Sequence, residues 1–201
     1  ADSYYREVNV GGTLNVLEAA RRHGCERVVH CSTGGVHGHV ANPPADENYP
    51  FQPDDIYQRT KLEAEMEATA AIRRGQPVSI FRPGAIYGEG DLRFLKLFRS
   101  IQKRQFVMIG TGQTRLHMVH VDDMVQGIML CGSRPEALGQ VFLIAGPEAP
   151  TLQEIVLHAL ADMKAIDVKA LDVRGLTDFT DAMIVASGTS DRHVKSIADR
   201  V

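Results

Sequence analysis

Three cysteines in 201 residues are too few and too scattered for a disulfide framework, which fits a reducing compartment, and a cytoplasmic location is expected. The chain has no strong basic excess. Its formal charge of -3 gives no electrostatic footprint for direct nucleic-acid binding. No apolar run approaches the ~20 residues of a membrane span, and no signal-peptide pattern opens at Ala1. Internal repeats, low-complexity tracts and Gly/Ser linkers are all missing. What these absences leave is a mixed α/β chain, long enough for one or two domains with a real core.

Within it, Tyr57 and Lys61 stand four residues apart in DDIYQRTKLEAE, on a predicted helix that points both side chains the same way. An unperturbed phenol titrates near ~10, and an ammonium one turn away favours the phenolate. The pair can therefore move a proton at a substrate hydroxyl or carbonyl. The spacing also recurs by chance, and a surface tyrosine beside a solvated lysine is the plainer alternative. The surroundings decide between them. RVVHCSTGG reads as a strand ending in Ser32, Thr33 and two glycines, and PVSIFRPGAIYG as a second strand closed by Arg82 and Pro83. Open α/β sheets place ligand chemistry at such carboxyl ends.

The ordered run NVGGTLNVLEAA, HCSTGGVHG, YQRTK, FRPGAIYG and GTGQTRLHMVHVDD resembles the later part of an extended short-chain dehydrogenase/reductase of the NAD-dependent epimerase/dehydratase kind. The resemblance covers residues 1–150. It implies NAD or NADP as cofactor and a small-molecule substrate, a sugar or nucleotide-sugar. Tyr57 would be the acid/base, with Lys61 as its partner and a ligand of the nicotinamide ribose. Thr33 would hydrogen-bond the reacting oxygen, with Ser32 taking that role if the register slips by one. Asn9 would border the active site, Arg82 and Pro83 would contact the cofactor, and Arg115 the substrate.

Departures accompany the matches. Members of that family open with a strand and a G-x-x-G-x-x-G turn that cradles the pyrophosphate at a helix N-terminus, and this chain carries no such turn. The expected fold is therefore an incomplete Rossmann-like parallel sheet, lacking its first βαβ units, followed by a short α/β segment. His37 stands where many relatives carry tyrosine. Arg115 precedes His120 by five positions, where the resemblance puts a phosphate-gripping arginine closer to that histidine.

From Leu152 the text changes. The run ALADMKAIDVKALDVRGLTDFTDAMIVASGTSDRHVKSIADRV resembles the first half of the ribosomal silencing factor (Iojap-like) family, giving a second portion at 151–201. This implies a binding module for a large-subunit ribosomal protein, without chemistry of its own, that blocks subunit joining. Thr151 and Glu154 form an expected capping box at the junction.

Predicted elements are helices at Asn9–His23, with Val10, Leu14 and Leu17 on one face, and at Ile56–Arg74. A further helix is expected at Leu92–Lys103 and strands at Phe106–Ile109 and Met118–Val121. Asp122 and Asp123 are expected to cap the helix that runs to Cys131. Val141–Ala145, Val168–Val173 and Ala182–Ala186 read as strands in a largely parallel sheet. His30, His37 and His39 lack the ligand set and geometry of a metal site, and no metal is expected. Cys31 reads as a buried strand residue, and Asp178 and Asp181 as structural or interface groups. Three functions stay open: an oxidoreductase, a ribosome-binding module, or an inactive fusion of two fragments that oligomerises through exposed apolar surface.

Overall fold

The computed structural model describes residues 2–89, 115–173 and 182–200. The expected helix at Leu92–Lys103, the strand at Phe106–Ile109, and Asp178 and Asp181 lie outside them. The chain divides into two units, Ala1–Gly88 with Met118–Gly146, and Glu89–His117 with Pro147–Val201.

In the first unit, α1 (Asp2–Arg6) passes through a π-turn at Glu7–Gly11 into α2 (Gly12–Arg22). The helix ends on Gly24 at φ +62, with Cys25 N–H on Ala20 O at 2.9 Å and Gly24 N–H on Arg21 O at 3.3 Å. That is a left-handed cap which a residue without Cβ adopts at no steric cost. A π-turn holds one residue more than an α-turn, and the inward stripe after it runs Thr13, Leu17, Ala20. Leu14, expected inside, is exposed.

Next come β1 (Val28–Cys31), a 3-10 turn (Gly34–His37), α3 (Ile56–Arg73), β2 (Val78–Pro83), β3 (Ala85–Tyr87), β4 (Met118–His120), α4 (Val121–Ser133) and β5 (Val141–Ile144). Strands β1, β2 and β5 form a parallel sheet in that order, pairing Val28 with Val78 and Ile80 with Val141. Strands β3 and β4 form a separate parallel pair. All six residues of β2 are buried, as befits a central parallel strand covered on both faces. The core gathers Leu17, Ala68, Ala71, Val78 and Ile80, with Val28, Ile72 and Val141 against it. Small residues at 64, 68 and 71 on α3, all fully buried, bring that helix down onto the sheet. Asp55 starts α3 by accepting from Gln58 N–H at 2.7 Å, and Gly75 at φ +83 follows its end. At α4 the cap is not an aspartate: His120 Nδ1 accepts from Asp122 N–H. Asp122 and Asp123 sit one step inside, in the first turn, where negative charge favours the helix dipole.

The second unit holds α5 (Leu152–Asp162), β6 (Ile166–Asp172), β7 (Ala182–Ser187) and α6 (Asp191–Arg200). The expected capping box is formed: Glu154 accepts from Thr151 N–H at 2.7 Å, and Thr151 Oγ1 from Glu154 N–H at 3.1 Å. Here the parallel expectation fails, because β6 and β7 are antiparallel, Asp172 facing Ala182. Nine residues separate those two, fewer than the dozen or so a parallel crossover needs. His193 Nε2 meets Met163 O at 2.8 Å and ties α6 to the end of α5. Among the described residues, no helix is long and apolar enough to cross a membrane.

Ile80 is fully buried at the centre of the core. Ile80→Ala should cost about 2–5 kcal/mol, read as a lower urea midpoint with an unchanged slope.

Candidate functional site

Strand β1 delivers Ser32 and Thr33 to the carboxyl end of the sheet, and the two hydroxyls separate there. Ser32 is 1% exposed and donates to Glu65 Oε2 at 2.5 Å. Thr33 caps the 3-10 turn, its Oγ1 accepting from Gly35 N–H at 3.1 Å, which leaves the hydroxyl proton to be donated outward. Burial thus takes Ser32 out of reach of a substrate and leaves Thr33 half-buried at the surface.

Helix α3 carries Tyr57 and Lys61 on one face. Tyr57 is 44% exposed. Val28 and Ser32 direct their N–H groups to Pro77 O and Phe81 O, on the β2 side, so the alternation of a strand turns the backbone groups of Val29 and Cys31 to the outer edge. The Lys61 ammonium donates to Cys31 O on that edge. Asn9, in the π-turn, donates to Thr60 Oγ1 at 2.9 Å, and Thr60 Oγ1 bonds Ile56 O and Tyr57 O. Asn9 therefore reaches the first turn of α3 through Thr60, where it steadies the backbone of Tyr57. Beside Lys61 lies an open groove of about 320 Å³, lined by Val8, Asn9, Thr13, His30 and Cys31 among others.

The remaining expected residues lie elsewhere. Arg82 is 3% exposed, and its donors are spent inside the fold. Nε and Nη2 grip Glu65, Nη2 at 2.6 Å, and Nη1 reaches Glu47 O at 2.8 Å and His37 Nε2 at 3.1 Å. The guanidinium also lies 4.9 Å from the Phe51 ring centre. This burial removes Arg82 from the cofactor contacts the sequence assigned to it. Pro83 is buried at the end of β2, its carbonyl 3.2 Å from where a Cβ on Gly34 would sit. Arg115 donates to Ala149 O in the second unit.

Sequence reasoning missed Glu65. Its signal was present: a carboxylate one turn beyond Lys61 on a stripe of small buried residues requires a buried partner, and Arg82 is the cation in the otherwise uncharged strand VSIFRP. Cys31 lies in β1 as expected but is exposed, because among the described residues β1 has a strand partner on one side alone. Its thiol contacts Ser32 O at 3.5 Å, and local desolvation pushes its pKa up, against the pull of Lys61. Among the described residues no group of three or more metal-ligating side chains converges.

Residues 1–145 match the model of the NAD dependent epimerase/dehydratase family. The chain belongs to this family. Residues 146–201 match the model of the ribosomal silencing factor during starvation. Among epimerase/dehydratase relatives, bovine short-chain dehydrogenase/reductase family 42E member 1 is 36% identical over 67% of this chain and 38% of its own length. UDP-glucose 4-epimerase of Vibrio cholerae is 31% identical over 76% of this chain and 48% of its own. A dTDP-glucose 4,6-dehydratase structure from Streptomyces venezuelae with NAD bound superposes at a TM-score of 0.70, with 29% identity, over 80% of this chain and 52% of that one. The chain thus spans about half the length or less of these epimerase/dehydratase relatives.

His30 provides a pH test of the site. Burial, and then the Lys61 charge, push its pKa from 6.5 down to about 4, and its buried Nε2 has no hydrogen-bond partner among the described residues. The unfolded chain binds the proton first, so stability is complete above pH ~6.5 and falls between there and pH ~4. The full loss is on the order of 3 kcal/mol. Glu18, held down to about 2 by Arg21 and Arg22, loses its contribution only below its ordinary value of 4.5. Urea midpoints at pH 7 and pH 5 should therefore differ in the parent, and the difference should shrink in His30→Leu.

Proposed function

We propose that the first portion is the nicotinamide-side half of an NAD(P)-dependent oxidoreductase, acting at a hydroxyl or carbonyl of a sugar-type substrate. The observation that carries this reading is the division of labour at the end of β1. Ser32 is consumed by Glu65, while Thr33, anchored by Gly35 N–H, keeps a hydroxyl proton for a ligand. Thr33 would hold the reacting oxygen and Tyr57 would give or take its proton at the phenol oxygen. Lys61, held at the strand edge by Cys31 O, would place its charge beside that phenol and a donor toward the ribose.

The residues fit part of the cofactor. A groove of about 320 Å³, with His30 Nε2, buried and unpartnered among the described residues, beside it, suits a nicotinamide and its ribose. It lies at the low end of pockets for drug-sized ligands, too small for the whole dinucleotide, and the sequence offers no Gly-rich turn for the pyrophosphate. Bound there, the nicotinamide supplies the hydride acceptor or donor. The sugar assignment follows from the likeness to UDP-glucose 4-epimerase and dTDP-glucose 4,6-dehydratase.

Calorimetric titration of the folded chain with NADH tests the reading. Saturable binding is the expected result, and a folded chain that takes up no NADH retires it. Where turnover follows, Tyr57→Phe should lower it by about 10²–10⁴-fold with NADH affinity within about twofold. Joint loss of both would speak against a proton-transfer role.

The match of residues 146–201 favours a second activity, attachment to a protein of the large ribosomal subunit. In β7 the exposed side chains Met183 and Val185 alternate on one face and offer an apolar contact. Met183→Glu combined with Val185→Glu should reduce co-sedimentation with large subunits, while Tyr57→Phe should leave it unchanged. The reverse pattern would move the attachment out of this portion.

A further inference from the structure

The turn that ends in His37 and the segment that leads into α3 are fastened to each other at three successive residues. Val36 O accepts from Gln52 N–H at 3.0 Å. His37, 1% exposed, has Nδ1 3.3 Å from Pro50 O and Nε2 3.1 Å from Arg82 Nη1. Gly38, at φ +58, lies so close to the second segment that a Cβ would fall 1.9 Å from Gln52 O. A guanidinium has only donors, so Nε2 must accept and the ring proton sits on Nδ1, donated to Pro50 O. The ring is stacked on Phe51 at 5.6 Å and meets Tyr49 edge-on at 5.8 Å, which fixes its plane.

Each side of this fastening ends in a reacting group of the proposed site. The turn Gly34–His37 begins at its cap, Thr33. The segment 50–54 runs into Asp55, the cap of α3, with Gln58 Oε1 accepting from Asp54 N–H and Asp55 from Gln58 N–H, both at 2.7 Å. Tyr57 lies between Asp55 and Gln58, the two ends of that capping bond. Thr33 comes from a strand end and Tyr57 from a helix start, so neither element alone fixes the distance between them.

We propose that residues 36–38 and 50–52 form a clamp that sets the spacing of the Thr33 hydroxyl from the Tyr57 phenol, with His37 as its positioning residue. The inference rests on the reading of Thr33 and Tyr57 as the reacting pair. His37 touches neither substrate nor cofactor. It acts by joining the clamp to Arg82, and through Arg82 to Glu65 and Ser32, so that turn, loop and helix move as one body.

The test is amide hydrogen exchange on the isotope-labelled full chain, comparing the parent with His37→Phe, His37→Gln and His37→Asn. Phenylalanine keeps the stack on Phe51 and removes both hydrogen bonds. Glutamine can restore the acceptor for Arg82, and asparagine the donor to Pro50 O. In His37→Phe, the N–H groups of Gly35 and Gln58 should lose protection together, by roughly tenfold or more, while Ile80 and Phe81 in β2 keep theirs. The glutamine variant should recover most of the loss at both positions. Unchanged exchange at Gly35 and Gln58, or loss at one without the other, would overturn the clamp. Should the phenylalanine variant fail to fold, the glutamine and asparagine variants, each lacking one bond, decide by the same paired readout. If the chain turns substrate over, kcat should fall in His37→Phe with KM nearly constant, and a change confined to KM would count against positioning. A chain with no turnover sinks the catalytic reading, and the paired exchange still decides the clamp.

Discussion

Removing a guanidinium and a carboxylate from water costs several kcal/mol per ion before any attraction between them is counted. Arg82 and Glu65 accept that cost at 3% exposure each, and the structure around them is arranged to meet it. Glu65 takes three contacts from Arg82 within 3.2 Å and the Ser32 hydroxyl besides. The donors of Arg82 that Glu65 cannot reach go to Glu47 O and His37. A hydrophobic pair of the same volume would serve stability as well or better, but it would carry no directional demand. The ion pair imposes several such demands, and they bind β1, β2, α3 and the 38–55 loop to a common geometry.

That geometry explains why the chemistry falls where it does. Hydroxyls end β1 because the next two residues must turn under the end of β2, where Gly34 lies against the Pro83 carbonyl. One hydroxyl is drawn inward by Glu65 and the other outward by the 3-10 turn. Lys61, one turn before Glu65 on α3, is left at the edge of β1, where among the described residues no further strand pairs and the Cys31 carbonyl is available to it. Spacing of four along α3 thus sorts 57, 61 and 65 into an exposed phenol, an edge ammonium and a buried carboxylate. The sorting follows how deeply each turn sits over the sheet, and each group takes the partner that its depth supplies.

Much of this was legible from the chain. The strands within RVVHCSTGG and PVSIFRPGAIYG, the helix from 56 and the capping box at 151 follow from local chemistry, because each is specified by residues within a few positions. Tyr57, Lys61 and Thr33 drew notice because the order of motifs supplied their setting, and their roles remain the proposal made above. Ser32 against Thr33 was not, since the choice depends on Glu65, thirty-three residues away. Arg82 misled for the same reason. A strand-end arginine reads as a ligand contact until the carboxylate that consumes it is located, and α3 brings that carboxylate in across seventeen positions. Leu14 failed because one residue added in the π-turn rotates the stripe that follows it. The antiparallel β6–β7 pair is not visible in the alternation of helix and strand, because it is the short connection that decides the direction of pairing.

A histidine at 37, rather than a tyrosine, follows from the same electrostatics. The site needs an acceptor for an Arg82 donor and a donor for the Pro50 carbonyl, on a flat ring that fits between Tyr49 and Phe51. A phenol offers one oxygen at the end of its ring for both tasks. An imidazole places acceptor and donor on separate atoms and meets two partners in different directions within a smaller volume. In exchange the ring must stay in one tautomer, because a second N–H at Nε2 would face a guanidinium that has nothing to accept it. The arginine that holds the loop therefore also dictates where the proton of His37 resides.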